Sequence, residues 1–198
     1  MSIKIGITGG IGSGKSVVSR LFELMGVPVY ISDKESKRIT TSDPFIRKEL
    51  VALLGKEIYR GEKLNKSLLA SYTFESPDQT KTINNIIHPH VQKDFQRWAA
   101  ERSCYSILAM ESAILIESGF VYETDITVMV YAPIKQRLER AVKRDASLRE
   151  HVLKRMQSQM SDEEKKKLAN YVILNDGEAS LISQVESILK EQLCPNLL

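Results

Sequence analysis

The chain of 198 residues is short of cysteine, of long apolar runs and of net charge, and each shortage argues against a class of protein. Its two cysteines, Cys104 and Cys194, stand far apart, with no CxxC spacing and no clustering around the three histidines. That pattern speaks against a disulfide scaffold or a zinc cluster and reads as two ordinary thiols in a reducing compartment. No apolar run approaches the ~20 residues needed to span a bilayer. The segment MSIKIGITGG is strand-like and enters a glycine-rich loop, so it does not read as a secretory leader, and the expected compartment is the cytoplasm. A net charge of +3 is too weak to imply a nucleic-acid partner.

What remains is a globular composition, 42% hydrophobic and 27% charged, at a length that suits one domain with smaller inserted pieces. The charge is unevenly spread. Lys135 to Lys167 holds eleven basic and six acidic residues, a local +5, which leaves about −2 for the rest. A basic segment in a near-neutral chain suggests either a phosphate-rich ligand or a solvated helix face.

Ile3 to Thr8 is a β-branched apolar run ending in glycines and predicts a buried strand. Lys15 to Met25 has helical apolar spacing, stopped by Gly26 and Pro28. Further strands are predicted at Val27 to Ile31, Ser106 to Met110, Ile126 to Tyr131 and Tyr171 to Leu174, with a closing helix over Ala179 to Leu193. Five buried strands separated by helices predict an α/β fold, a five-stranded parallel sheet covered on both faces. The interval 33–102 reads as helical and polar and is too long for one crossover helix. The predicted organisation is therefore a nucleotide-binding core, 1–32 and 103–198, with a lid at about 137–167 and a helical acceptor-binding insertion at 33–102.

Between the first strand and the first helix, Gly9-Gly10-Ile11-Gly12-Ser13-Gly14-Lys15-Ser16 satisfies G-x-x-x-x-G-K-[ST] in its required setting. Glycines let successive N–H groups turn inward toward phosphate oxygens, and the helix that runs on through Val17 adds its positive end. Lys15 supplies a point charge for the β- and γ-phosphates, and Ser16 a hydroxyl for magnesium. The motif names a nucleoside triphosphate such as ATP with Mg2+ but not the reaction. No aspartate is followed three residues on by glycine, and no NKxD, LSGGQ or strand-terminal Asp-Glu is present. Elimination leaves a small-molecule kinase.

Such kinases need an acceptor-side base, metal support and a closing cation, and the sequence offers candidates for each. Asp33 ends the second strand, where position alone favours a helix N-cap and a general base is the functional alternative. Glu111 ends the third strand and suits a metal ligand through water, or a plain polar strand end. Arg137, Arg140 and Arg144 share one predicted helix face, where a triphosphate, or Glu139 and Asp145, would separate their charges. His88, followed by Pro89, reads as a packed helix-end histidine or an acceptor contact.

Together these residues resemble the dephospho-coenzyme A kinase family over essentially the whole chain. The resemblance rests on several segments in order: Thr8 to Ser16 as TGGIGSGKS, Asp33 with Lys37-Arg38, and His88-Pro89-His90-Val91 as HPxV. It continues with Leu115-Ile116-Glu117, with Arg140 through Arg144-Asp145, with Gln159-Met160-Ser161, and with Ala169 to Gly177 as ANYVILNDG. The resemblance implies transfer of the ATP γ-phosphate to the ribose 3′-hydroxyl of dephospho-CoA, the final step of coenzyme A biosynthesis. It further implies Asp33 as base, Lys15 and Arg140 as charge stabilisers, Arg144 as a lid contact and Ser16 on magnesium. His88 would lie near the acceptor and Asn175 near the adenine of ATP. The expected partners are these two small molecules, with no nucleic acid and no membrane, and a monomer is favoured. Two departures stand out. Ile31-Ser32-Asp33 replaces the family's Asp-Ala-Asp, and Ala113 stands where it has proline. Another nucleoside or nucleotide kinase, or a sensor of ATP without catalysis, are the competing readings.

Overall fold

The computed structural model describes residues 2–146 and 148–193. Strand β1 (Ile3–Thr8) feeds helix α1 (Lys15–Leu24), which ends where Gly26 turns the chain with a positive φ into β2 (Val29–Ile31). Then follow α2 (Ser32–Ser42), α3 (Pro44–Leu54), β3 (Tyr59–Arg60), β4 (Lys63–Leu64), α4 (Lys66–Thr73) and α5 (Pro77–Ala100). The remainder is β5 (Ile107–Glu111), β6 (Ile126–Tyr131), α6 (Ile134–Asp145), α7 (Arg149–Gln157), α8 (Asp162–Leu168), β7 (Tyr171–Leu174) and α9 (Leu181–Leu193).

The strands form the expected five-stranded sheet, in the order β2-β5-β1-β6-β7, with β5, β1, β6 and β7 pairing in parallel. Both faces are dry, which is why the strands read as continuous apolar runs rather than alternating ones. Ile5, Ile7, Ile107, Ala109, Val128 and Val130 meet Val18 and Phe22 of α1 and Val185 and Ile188 of α9. Their neighbours Leu108, Met110 and Met129 point the opposite way and are equally buried. Among the described residues no helix is long and apolar enough to cross a membrane.

The chain divides into two compact units: residues up to Tyr30 with those from Ala99 onward, and Ile31–Trp98. The second unit is built on α5, whose Ile83, Ile87, Val91 and Phe95 recur every fourth residue and are all buried. This stripe carries the helix straight through Pro89, so His88 lies inside a helix and not at its end. An interior proline costs about 3 kcal/mol. Four buried side chains at roughly 1.5–3 kcal/mol each exceed that. Asp43 caps α3 by accepting from the N–H groups of Phe45 and Ile46, and Asn65 caps α4. By its sequence the stretch around Arg60-Gly61 reads as a short loop. The chain instead forms a small antiparallel hairpin there, Tyr59 opposite Leu64, with Gly61 at φ 61° in its turn. Tyr59 anchors it, its hydroxyl donating to Thr40 O at 2.6 Å while Arg47 lies over its ring.

The charged sequence before Ala169 folds as three helices, α6, α7 and α8. A left-handed Ala146 closes α6, and Ser161 opens α8 with a reciprocal capping box to Glu164. Leu138, Ala141, Val152 and Met156 bind α6 to α7. The expected thiol pair is half visible: Cys104 is exposed and free, and Cys194 lies outside the described residues.

Candidate active site

The glycine-rich loop leaves the C-terminal end of β1, the end at which open parallel sheets carry their ligands. Gly12 (φ 79°) and Gly14 (φ 100°) take left-handed backbone that a side chain would resist. Gly14 is also the N-cap of α1, with no side chain capping the helix. The positive end of α1 is thereby left open toward an anion. A β-carbon on Gly10 or Gly12 would strike Arg137, and one on Gly14 would strike the Asn175 amide. Lys15 is 9% exposed, and its ammonium lies across the loop, donating to Gly9 O at 2.8 Å and Gly10 O at 3.2 Å. Its charge is thus held at the centre of the turn. Ser16 and Val17 are exposed on the first turn of α1. Thr8 Oγ1 and Ser13 Oγ are buried without a hydrogen-bond partner among the described residues. Such orphaned hydroxyls beside a cradle mark a place where water or a polar ligand is accommodated.

Three side chains brace this loop from outside. Gln159 Oε1 accepts the Ile11 N–H at 3.0 Å, Arg137 Nε donates to Ile11 O at 3.0 Å, and Asn175 Nδ2 donates to Ser13 O at 2.8 Å. Asn175 is itself fixed at the end of β6, its N–H donating to Tyr131 O at 2.7 Å. The three arginines of α6 therefore have different surroundings. Arg137 is buried, only 4% exposed, and paired with Asp162, so it serves as a brace. Arg144 bonds the neighbouring Asp145, which Arg155 also reaches, and these two guanidiniums hold the Asp145 carboxyl far below the usual range. Arg140 has no carboxylate partner among the described residues. It donates to Asn175 O at 3.2 Å and Gln136 Oε1 at 3.1 Å. The structure so brings Arg140, Asn175 and the loop into one constellation and leaves Arg144 in its own ion cluster.

Glu111 closes β5 and lies in register with Ile7 of β1, and it is buried. Magnesium takes hard oxygen ligands and needs only one or two from protein when phosphates supply the rest. The exposed Ser16 hydroxyl, with Glu111 at the adjoining strand end, fits that demand. In the second unit Asp33 is exposed in the first turn of α2 and makes no hydrogen bond or ion pair among the described residues. The alternative N-cap role falls to Ile31, which has no side chain to cap with.

His88 is half-buried, and burial pushes its pKa down. A cavity in this unit, about 660 Å³, is lined not by His88 but by its neighbour His90, with Phe45, Arg38, Lys93, Asp94 and Arg97. His90 Nδ1 lies 3.2 Å from Asp43 and its ring stacks on Phe45. Buried Asp94 ties Arg38 to Arg97. Sequence reasoning weighed His88 and not His90, two residues further on. The missing signal was their position on α5, which only a known helix phase supplies.

The family model for dephospho-CoA kinase matches residues 3–180. A dephospho-CoA kinase of Bacteroides fragilis is 58% identical over 189 residues, covering 96% of this chain and 92% of the relative. A solved structure from Thermus thermophilus superposes with a TM-score of 0.81 at 32% identity, covering 100% of this chain and 99% of that one. The dephospho-CoA kinase from Campylobacter jejuni superposes with a TM-score of 0.71 over 100% of both chains, and its 21% identity speaks for the fold alone. With its phosphate loop, its parallel sheet and nearly its whole length matched, the chain belongs to the dephospho-CoA kinase family.

Proposed function

We propose that the chain transfers the γ-phosphate of ATP to the ribose 3′-hydroxyl of dephospho-CoA, yielding coenzyme A and ADP. The observation that carries a phosphoryl-transfer reading is the loop after β1, where Lys15 is centred on Gly9 O and Gly10 O at the open N-terminus of α1. Family membership supplies the acceptor.

In this reading the 3′-oxygen attacks the γ-phosphorus while the bond to the β–γ bridging oxygen breaks. Asp33 takes the hydroxyl proton, a role suited to an exposed, unpaired carboxylate. Lys15 and Arg140 offset the charge that spreads over the phosphoryl oxygens. Arg140 suits this because its bonds go to neutral acceptors, which an anion outcompetes. Ser16, and Glu111 through water, would hold magnesium, whose positive charge would offset that of the phosphates. The core 1–32 with 103–198 would bind nucleotide under the segment 137–167. The insertion 33–102, with His88, would hold the acceptor. Asn175 supports the loop through Ser13 O and lies beside the nucleotide in this assignment. Arg144 would turn from Asp145 toward the nucleotide when the segment closes. The proposed compartment is the cytoplasm, in keeping with the exposed free thiol of Cys104, and the proposed assembly is a monomer.

The test is ATP consumption with dephospho-CoA beside AMP, CMP, uridine and shikimate. Dephospho-CoA is expected to be used far faster than the other four. A preference for any of those removes the acceptor assignment while leaving phosphoryl transfer in place.

A further inference from the structure

Ile11 is gripped on both sides of its α-carbon. Its N–H donates to Gln159 Oε1 and its carbonyl accepts from Arg137 Nε, each at 3.0 Å. Its side chain packs against the cluster of Leu138, Ala141, Val152 and Met156. Arg137 in turn pairs with Asp162, three residues beyond Gln159. The contacts therefore close a ring: Ile11, Gln159, the backbone to Asp162, Arg137, and back to Ile11.

The far side of that ring carries bonds of its own. The Met160 N–H donates to Glu117 at 3.0 Å, and the Ser161 N–H and hydroxyl bond Glu164. Fully buried Lys165 holds Glu117 at 2.8 Å and Ala113 O at 2.7 Å. Each residue from Gln159 to Asp162 thus has its own anchor, and Gln159 presents its amide from a fixed frame.

We propose that Gln159 is a positioning residue for phosphoryl transfer, holding the first half of the phosphate loop in register by accepting the Ile11 N–H. The proposal rests on the kinase reading above. The Ile11 N–H is thus taken up by Gln159 and the Ser13 N–H by Gly10 O, so the first half of the loop is held by the protein's own bonds. The end of the cradle nearest α1 holds the inner phosphates, and the braced half sets where the terminal phosphate lies. Loss of the brace consequently slows transfer more than it weakens nucleotide binding, because the chemistry depends on in-line placement.

The variants Gln159→Met, close in shape without an oxygen acceptor, and Gln159→Glu, which retains one, separate these effects. Gln159 is only partly buried, so both fold, and a thermal melt checks this. Gln159→Met is expected to lower kcat about tenfold, short of the ~100-fold that a 1 Å misplacement costs, with KM for ATP changed less than about twofold. Hydrogen exchange of the peptide spanning residues 9–16 is expected to accelerate. Gln159→Glu is expected to restore slow exchange and to recover much of kcat. Wild-type kcat in Gln159→Met, a change confined to KM, or a Glu variant as slow as the Met variant each overturns the proposal. Exchange reads the contact without any acceptor. Unchanged exchange in Gln159→Met sinks the proposal whatever the substrate, whereas wild-type protein inert toward dephospho-CoA faults the acceptor assignment instead.

Discussion

Lys15 joins two roles in one ammonium group: it bonds the carbonyls of Gly9 and Gly10, and it places a positive charge where phosphate oxygens arrive. Lys15→Ala is expected to reduce transfer by more than ~100-fold, the scale of a lost preorganised donor. Initial rates within tenfold of wild type would take the loop out of the chemistry. Asp33→Asn keeps shape but cannot accept a proton. ATP affinity is expected to hold within about twofold while kcat drops ~10²–10⁴-fold, read by nucleotide titration beside turnover. His88 gives a pH signature. Burial lowers its folded pKa below the unfolded value near 6.5, so the unfolded chain binds the extra proton first. Its contribution is complete above about pH 6.5 and is lost as pH falls toward the folded value. The melting temperature should decline between about pH 7 and 5.5, and His88→Gln should flatten that part of the profile.

Among elements, α8 has the least expected support. Its sequence, DEEKKKL, looks like a solvated charged helix, yet Lys165 is fully buried against the turn after β5. Removing one partner of a buried pair strands the other charge at a cost of about 3–5 kcal/mol. Glu117→Ala is therefore expected to lower the melting temperature by roughly 6–12 °C at the low end of that cost, measured by circular dichroism. Lys165→Met, which leaves no buried charge, should lose less. The sequence showed the phosphate loop and the sheet because both depend on local pattern: a fixed glycine spacing, and short continuous apolar runs bounded by turn residues. It did not show Gln159, Arg137 and Lys165 as braces, because each finds its partner across the fold. Gln159 meets Ile11 148 residues away. Nor did it show that Arg137, Arg140 and Arg144, one face by spacing, would divide among Asp162, a backbone carbonyl and Asp145. The β3–β4 hairpin escaped because two-residue strands are too short to show alternation, leaving Gly61 as its only local sign.

At the scale of the whole molecule, nucleotide binding and stability are linked. A ligand at about 100 times its Kd stabilises the native state by ~2.7 kcal/mol, which for this length raises the melting temperature by roughly 5–11 °C. Magnesium-ATP should produce that shift in wild type and a much smaller one in Lys15→Ala. A shift of equal size in both would separate binding from the loop. Heritable change around the loop is constrained unequally. A β-carbon at position 10 would meet the guanidinium of Arg137, which a smaller residue at 137 would withdraw. At position 12 it would meet the backbone carbonyl of the same residue, which no codon change at 137 removes. A lineage descending from this sequence thus has a paired route away from Gly10 and no single-partner route away from Gly12.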